Sequence, residues 1–202
     1  LDTDLYLRVA PELYLKRLLV GGYERVFEIA RCFRNEGMDY AHNPEFTQVE
    51  AYQAYANYED YMKMVEELLP HIVQTVHQKL VIPYDGTDID FTPPYPRITF
   101  RDAVKKYTKI DIDEYPDRES LAAAAKNMLG VQKEWGRGKI IDELYKEHAR
   151  PKMIQPTFLI DHPLDLSPLA KRKADAPNYT ERFQLIVGGS IELCNAFSEL
   201  ND

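Results

Sequence analysis

Two alternating runs separated by a charged, glycine-bearing loop constrain this chain more than any other feature. In residues 24–34, Val26, Glu28 and Ala30 alternate with Phe27 and Ile29, and a second alternation begins after Pro44 and runs through Tyr52. Period-two alternation marks a strand with unlike faces, so the two runs predict a strand, a loop and an antiparallel return strand. On the return strand Phe46, Gln48, Glu50 and Tyr52 share one face, and Thr47, Val49 and Ala51 share the other. An acid and a phenol on alternate residues of one face suit an ammonium group, through charge-assisted hydrogen bonds. The competing reading is an ordinary solvated strand face.

Around this hairpin the pattern changes to helical period. Residues 11–20 carry Leu13, Leu15, Leu18 and Leu19 at near-helical spacing, with Pro11 in the first turn and Gly21-Gly22 after the last. Over residues 57–80, Met62, Val65, Leu68, Leu69, Ile72, Val73 and Val76 predict an amphipathic helix that covers a sheet face and bends at Pro70. Asp85-Gly86 marks a hairpin turn between residues 80–84 and 89–91, followed by a proline-rich connector. Helices are expected over 99–107, with Thr99 and Asp102 at capping-box spacing, over 119–130, and over 139–148. Strands return at 157–160, 183–187 and 191–197. The chain therefore reads as α+β, an antiparallel sheet flanked by helices, organised as core (1–98), helical insertion (99–150) and continued core (151–202).

Composition narrows the function classes. A charged share of 29% and a hydrophobic share of 45% sit near the averages of globular proteins and suggest neither disorder nor a membrane class. No apolar run nears the roughly 20 residues of a membrane span, and no signal-peptide pattern opens the chain, so a cytoplasmic protein without membrane contact is expected. The net charge of -8 argues against a broad phosphate-binding surface. Cys32 and Cys194 have no partner at metal-ligand spacing and read as reduced structural thiols. Both ends read as cut from a longer protein, since the chain opens without methionine and stops directly after a strand-like segment.

The stretch Arg31-Cys32-Phe33-Arg34-Asn35-Glu36-Gly37, followed by His42-Asn43-Pro44-Glu45-Phe46-Thr47, closely resembles motif 2 of the class II aminoacyl-tRNA synthetases. A lone F-R-x-E is weak; the two blocks at this spacing are specific. The chemistry agrees, because joining an amino acid to the α-phosphate of ATP places a carboxylate beside a polyphosphate, and an arginine fork neutralises both. The resemblance implies that Arg34 bridges the α-phosphate and the substrate carboxylate. It also implies that Glu36, His42, Asn43 and Phe46 hold ATP, with Phe46 as a stacking platform for adenine.

Other blocks resemble the lysyl members, subclass IIb. Ala10-Pro11-Glu12-Leu13-Tyr14-Leu15-Lys16 is similar to their amino-acid-binding loop and helix, and Pro156-Thr157-Phe158 through Ser167-Pro168-Leu169-Ala170-Lys171 to a strand and loop near the site. The segment running from Glu192 through Cys194-Asn195 to Glu199-Leu200-Asn201-Asp202 is similar to their last strand before motif 3. The resemblance implies Glu199 and Tyr52 at the ε-ammonium of L-lysine, Glu12 and Glu50 around its α-ammonium, and Asn195 near its carboxylate. An aspartate-specific relative would need cations at the side-chain end, so Glu199 separates the two specificities. Glu192 matches the Mg2+-binding glutamate of the family, although alternation alone turns it away from Asn195 unless a bulge intervenes.

One departure concerns the metal. The family pattern is Arg-Phe-Glu seven residues before that glutamate, whereas this chain reads Arg182-Phe183-Gln184 with eight residues to Glu192. Gln184 in place of the partner carboxylate implies weakened or rearranged metal binding. His162, in the segment from Pro156 to Lys171, receives no role, because a lone histidine is more often a satisfied core or surface residue and aminoacylation needs no protein nucleophile. The expectation is thus a lysine–tRNA ligase using ATP and Mg2+, homodimeric in full length, gripping tRNA(Lys) mainly outside this chain, and inactive as the 202-residue chain alone. Two alternatives stay open: a paralogue that lysylates a protein, and a silent homologue serving as an interaction module.

Overall fold

The computed structural model describes residues 2–38 and 42–200. It comprises two compact units, Leu1–Ala56 and Asn57–Asp202.

The first unit holds helix α1 (Glu12–Val20) and the hairpin β1 (Arg25–Phe33) with β2 (Glu45–Gln53). Pro11 caps α1, its carbonyl accepting from the amides of Tyr14 and Leu15. The chain leaves the helix through Gly21 and through Gly22 at φ 98°, a conformation that suits glycine. The hairpin keeps one register from Arg25↔Gln53 to Phe33↔Glu45. That register puts Val26, Glu28, Ala30 and Cys32 on the same face as Tyr52, Glu50, Gln48 and Phe46. Helix α1 packs on this face, with Leu15, Ala30 and Cys32 buried. The apolar residues of the opposite face are the exposed ones, Phe27 at 71%, Ile29 at 70% and Val49 at 61%. Here, then, the polar face of the hairpin is the covered one.

The second unit is built on a four-stranded sheet of order β5-β6-β7-β8, formed by Arg97–Thr99, Thr157–Pro163, Tyr179–Val187 and Ile191–Phe197. It is antiparallel except at its edge, where β5 runs parallel to β6. Helix α2 (Tyr58–His77) covers one face, its Met62, Val65 and Val73 packing with Phe158, Phe183 and Leu185. A reciprocal capping box between Asn57 and Asp60 starts α2. Pro70, expected to bend the helix, is carried within a continuous one. The hairpin β3 (Val81–Tyr84) and β4 (Thr87–Asp90) turns at Asp85, φ 46°, and Gly86, φ 74°, the two positive values a type I′ turn requires.

The other face of the sheet packs Leu159 and Ile186 against α3 (Phe100–Thr108) and α5 (Arg137–Leu144), with α4 (Arg118–Ala125) behind them. Coverage on both faces is why β6 and β7 read as apolar runs and not as alternations. Both strands are longer than their sequence suggests. Asp161 takes φ 54° in a register shift between Ile160 and His162, after which pairing resumes through Thr180 and Tyr179. Helix α4 is shorter than expected, because the amides of Met128 and Leu129 both turn back onto the carbonyl of Ala125. After α5 the backbone widens into a π-type segment, Tyr145–Ala149, before a tight turn at Arg150–Lys152.

Candidate functional site

In the first unit the covered face of the hairpin gathers most of the expected residues. Glu50 lies mid-strand, where Tyr52 donates its phenol to Oε2 at 3.3 Å and Gln48 donates its amide to Oε1 at 2.7 Å. Burial raises the Glu50 pKa; the Tyr52 hydrogen bond opposes that rise and the negative charge of Glu12 adds to it. The pair Glu12 and Glu50 is thus a patch of unfavourable negative charge that a cation would relieve. Protein cations already act on it: Arg34 and Lys16 both oppose the rise at Glu50, and Lys16 Nζ donates to Glu12 Oε1 at 2.6 Å and stands 5.8 Å from the centre of the Tyr52 ring. Glu28, the register partner of Glu50, is engaged separately by Arg8 at 2.6 Å.

Arg34 follows β1 directly. Its backbone amide extends the hairpin to the carbonyl of Pro44, its Nε donates to the carbonyl of Val9 at 3.2 Å, and its guanidinium stands 5.1 Å from the centre of the Phe46 ring. A guanidinium held through Nε and over an aromatic face keeps its outer nitrogens available in a fixed fork. Glu36, His42 and Asn43 are exposed in the loop between the strands; residues 39–41 of that loop lie outside the described residues.

In the second unit the decisive feature is a bulge in β8. Leu185 pairs with Cys194 but Ile186 pairs with Glu192, which leaves Leu193 without a partner. One extra residue reverses the alternation, so Glu192 shares a face with Asn195, contrary to simple parity. Gln184 lies across from them and donates its Nε2 to Glu192 Oε2 at 2.7 Å, while its Oε1 meets His162 Nε2 at 3.0 Å. Asn195 is held by Arg182, whose Nε donates to Asn195 Oδ1 at 2.9 Å; the same arginine is fixed by Ser167 and the carbonyl of Leu166. Glu199 lies beyond β8 in an isolated bridge with Ala170, which ties it to the segment after β6.

Burial shapes the charges here. It pushes the His162 pKa down to about 4, with the Arg182 guanidinium adding to the fall. Glu192 remains open to solvent along part of its side chain, yet burial of its carboxyl raises its pKa; the Gln184 hydrogen bond acts against that rise first, then Arg182, Arg150 and Lys146. Burial also lifts the Cys194 thiol to about 11, keeping it protonated. A cleft of about 240 Å³ opens beside Glu192, lined among others by Asp142, Tyr145, Lys146, Arg150 and Arg182. Among the described residues no three His, Cys, Asp or Glu side chains cluster as metal ligands. None of the described helices is long and apolar enough to cross a membrane.

Arg8, Lys16 and Glu28 in the first unit, and His162, Arg182 and Tyr145 in the second, have no role that the sequence assigns. Glu28 was readable from the hairpin register. The others depend on which elements meet, and alternation carries no such signal.

Over its whole length, residues 1–202, the chain matches the family described as tRNA synthetases class II (D, K and N). The chain belongs to this family. Its curated relatives include proteins named lysine--tRNA ligase from Dehalococcoides mccartyi, 51% identical over 205 residues, and from Moorella thermoacetica, 50% identical over 204 residues. A third, from Mannheimia succiniciproducens and of the same name, is 50% identical over 206 residues. Each match covers 100% of this chain and 41% of the relative, so this class II synthetase chain spans less than half the length of those proteins.

Proposed function

We propose that the protein carrying this chain is a lysine–tRNA ligase, which activates L-lysine with ATP and transfers it to tRNA(Lys). The observation that carries the specificity is Glu50, a carboxylate desolvated beside Glu12 and braced by Tyr52, an arrangement that gains when an ammonium group binds. In the first unit Glu12 with Glu50 takes the α-ammonium and Tyr52 serves the ε-ammonium; in the second unit Glu199 is the residue the resemblance assigns to the ε-ammonium. Arg34 in the first unit is assigned to the substrate carboxylate, and in the second unit Asn195, oriented by Arg182, has the same assignment by the resemblance. Adenine stacks on the face of Phe46 that Arg34 does not cover, with Glu36, His42 and Asn43 at the nucleotide.

In the first step a carboxylate oxygen of lysine bonds to the α-phosphorus as the bond to pyrophosphate breaks. In the second a ribose hydroxyl at the tRNA end attacks the acyl carbon and AMP leaves. The protein contributes position and charge to both, with no nucleophile of its own. Arg34 opposes the negative charge that the carboxylate and the phosphate bring together. Glu192 is the residue that would hold Mg2+, and its single carboxylate fits an ion that commonly binds through one or two carboxylates plus substrate phosphates. When bound, the ion neutralises phosphate charge. We place the protein in the cytoplasm as a homodimer whose grip on tRNA lies mainly in other parts of the molecule.

Lysine-dependent ATP–pyrophosphate exchange by the full-length protein, compared with aspartate and asparagine, tests the reading; absence of a lysine signal overturns it. In the same assay Glu50→Gln is expected to raise the KM for lysine by about 30-fold or more, the effect of removing one charge of a desolvated pair. The KM for ATP should stay within about threefold of wild type, the size of effect expected away from a shared contact. Gln184→Glu adds a second carboxylate beside Glu192 and should lower the Mg2+ concentration that gives half-maximal exchange. An unchanged metal requirement would show that position 184 does not limit metal binding.

A further inference from the structure

His162 is a buried polar residue, 2% exposed, to which the reaction above gives no task. Its ring packs 5.2 Å from that of Phe100, and its Nδ1 forms no hydrogen bond among the described residues. Its Nε2 meets Gln184 Oε1 at 3.0 Å, and the main chain of Arg182 also acts on the ring. Gln184 has one amide to share between two neighbours. Its Nε2 must face Glu192, because a carboxylate only accepts; its Oε1 must then face His162, and His162 must donate. The direction of the whole chain is set: His162 Nε2–H to Gln184 Oε1, and Gln184 Nε2–H to Glu192 Oε2. Turning the amide over would set two oxygens against each other at the 2.7 Å contact.

We propose that His162 is a positioning residue which, through Gln184, holds the carboxylate of Glu192 in the orientation that receives the metal–phosphate end of MgATP. The inference rests on the function proposed above. It gives Gln184 a role of its own: the amide supplies a donor where the family pattern has a second metal-side carboxylate, and the buried imidazole prevents the amide from rotating. Groups that orient a ligating carboxylate matter to metal affinity by about 10–100-fold. Neither His162 nor Gln184 needs to touch the nucleotide for this to operate.

The test has two readouts on the full-length protein. The first is the tautomer of His162, read from long-range ¹H–¹⁵N spectra of ¹⁵N-histidine protein near neutral pH and assigned by loss of the signals in His162→Phe. Nε2–H is expected; Nδ1–H overturns the proposal. The second is the Mg2+ concentration required for half-maximal ATP binding, measured by calorimetry without lysine. His162→Phe should raise it about tenfold, His162→Gln, whose amide can still donate to Gln184, should restore most of it, and lysine affinity should not change. If the phenylalanine variant does not fold, Gln184→Met breaks the same chain and should show the same rise. A requirement within twofold of wild type in these variants, or an equal loss in His162→Gln, overturns the positioning role while leaving the ligase reading intact. Failure of the wild type to bind MgATP would remove the ligase reading, and this one with it.

Discussion

Replacing Arg34 by alanine in the full-length protein is expected to lower kcat/KM for lysine-dependent pyrophosphate exchange by about 10²–10³-fold, the usual cost of losing one preorganised donor at developing charge. The structure explains why the effect should be large and confined to activity. The side chain is exposed, and among the described residues its Nε donates to the carbonyl of Val9 at 3.2 Å while Phe46 supports the guanidinium plane from 5.1 Å. Removing such a group should move stability by no more than about 0.5 kcal/mol. Lysine at this position keeps the charge but loses the planar fork and the Nε contact, so Arg34→Lys should recover less than about a tenth of the lost activity. Full activity in Arg34→Lys would mean that charge alone is needed, and an unfolded Arg34→Ala protein would mean that the Val9 contact is structural.

That prediction could be made from the sequence because motif and strand geometry are local. Alternation from Val26 to Tyr52 was enough to put Glu50 and Tyr52 on one face, and the register bears this out with Glu28 opposite Glu50. The helix beginning at Glu12 was equally legible from its leucines and flanking Pro11 and Gly21. What failed to show were features set by a single irregular residue. Leu193 bulges from β8 and returns Glu192 to the face of Asn195. Asp161, at φ 54°, lets β6 continue to Pro163 where a proline would normally argue against a strand. His162 follows that bulge directly, so the irregularity that hides the end of the strand also delivers the imidazole to Gln184. A pattern of apolar and polar residues averages over such positions. The sign of Glu192 was recoverable only as a condition, that a bulge intervene.

The largest stability effect is expected at Asp111, 3% exposed and outside the site. Arg101 on α3 grips it through Nε and Nη2, both at 2.7 Å, Lys105 adds a contact at 2.8 Å, and the amide of Asp113 donates at 3.2 Å. Arg101 also pairs with Asp113, which in turn accepts from the phenol of Tyr179 on β7, so the cluster ties α3 to the sheet. Breaking a buried pair from one side costs about 3–5 kcal/mol. Because Arg101 and Lys105 keep access to water and Arg101 keeps Asp113, Asp111→Ala should cost somewhat less, about 2–3 kcal/mol from the shift of the urea midpoint at pH 7. The guanidinium of Arg101 holds the Asp111 carboxyl well below the ordinary carboxylate range. A carboxyl whose folded pKa lies below its unfolded value, near 4, stabilises the fold fully above that value. The contribution fades as pH falls from there towards the lower folded value, since the unfolded chain takes up its proton first. Asp111→Asn removes the titration, so its deficit relative to wild type should be constant from pH 7 to about pH 5 and shrink steadily below about pH 4. Deficits that run parallel down to pH 3 would show that the amide loses shape and hydrogen bonds only, and that the charge of Asp111 contributes nothing.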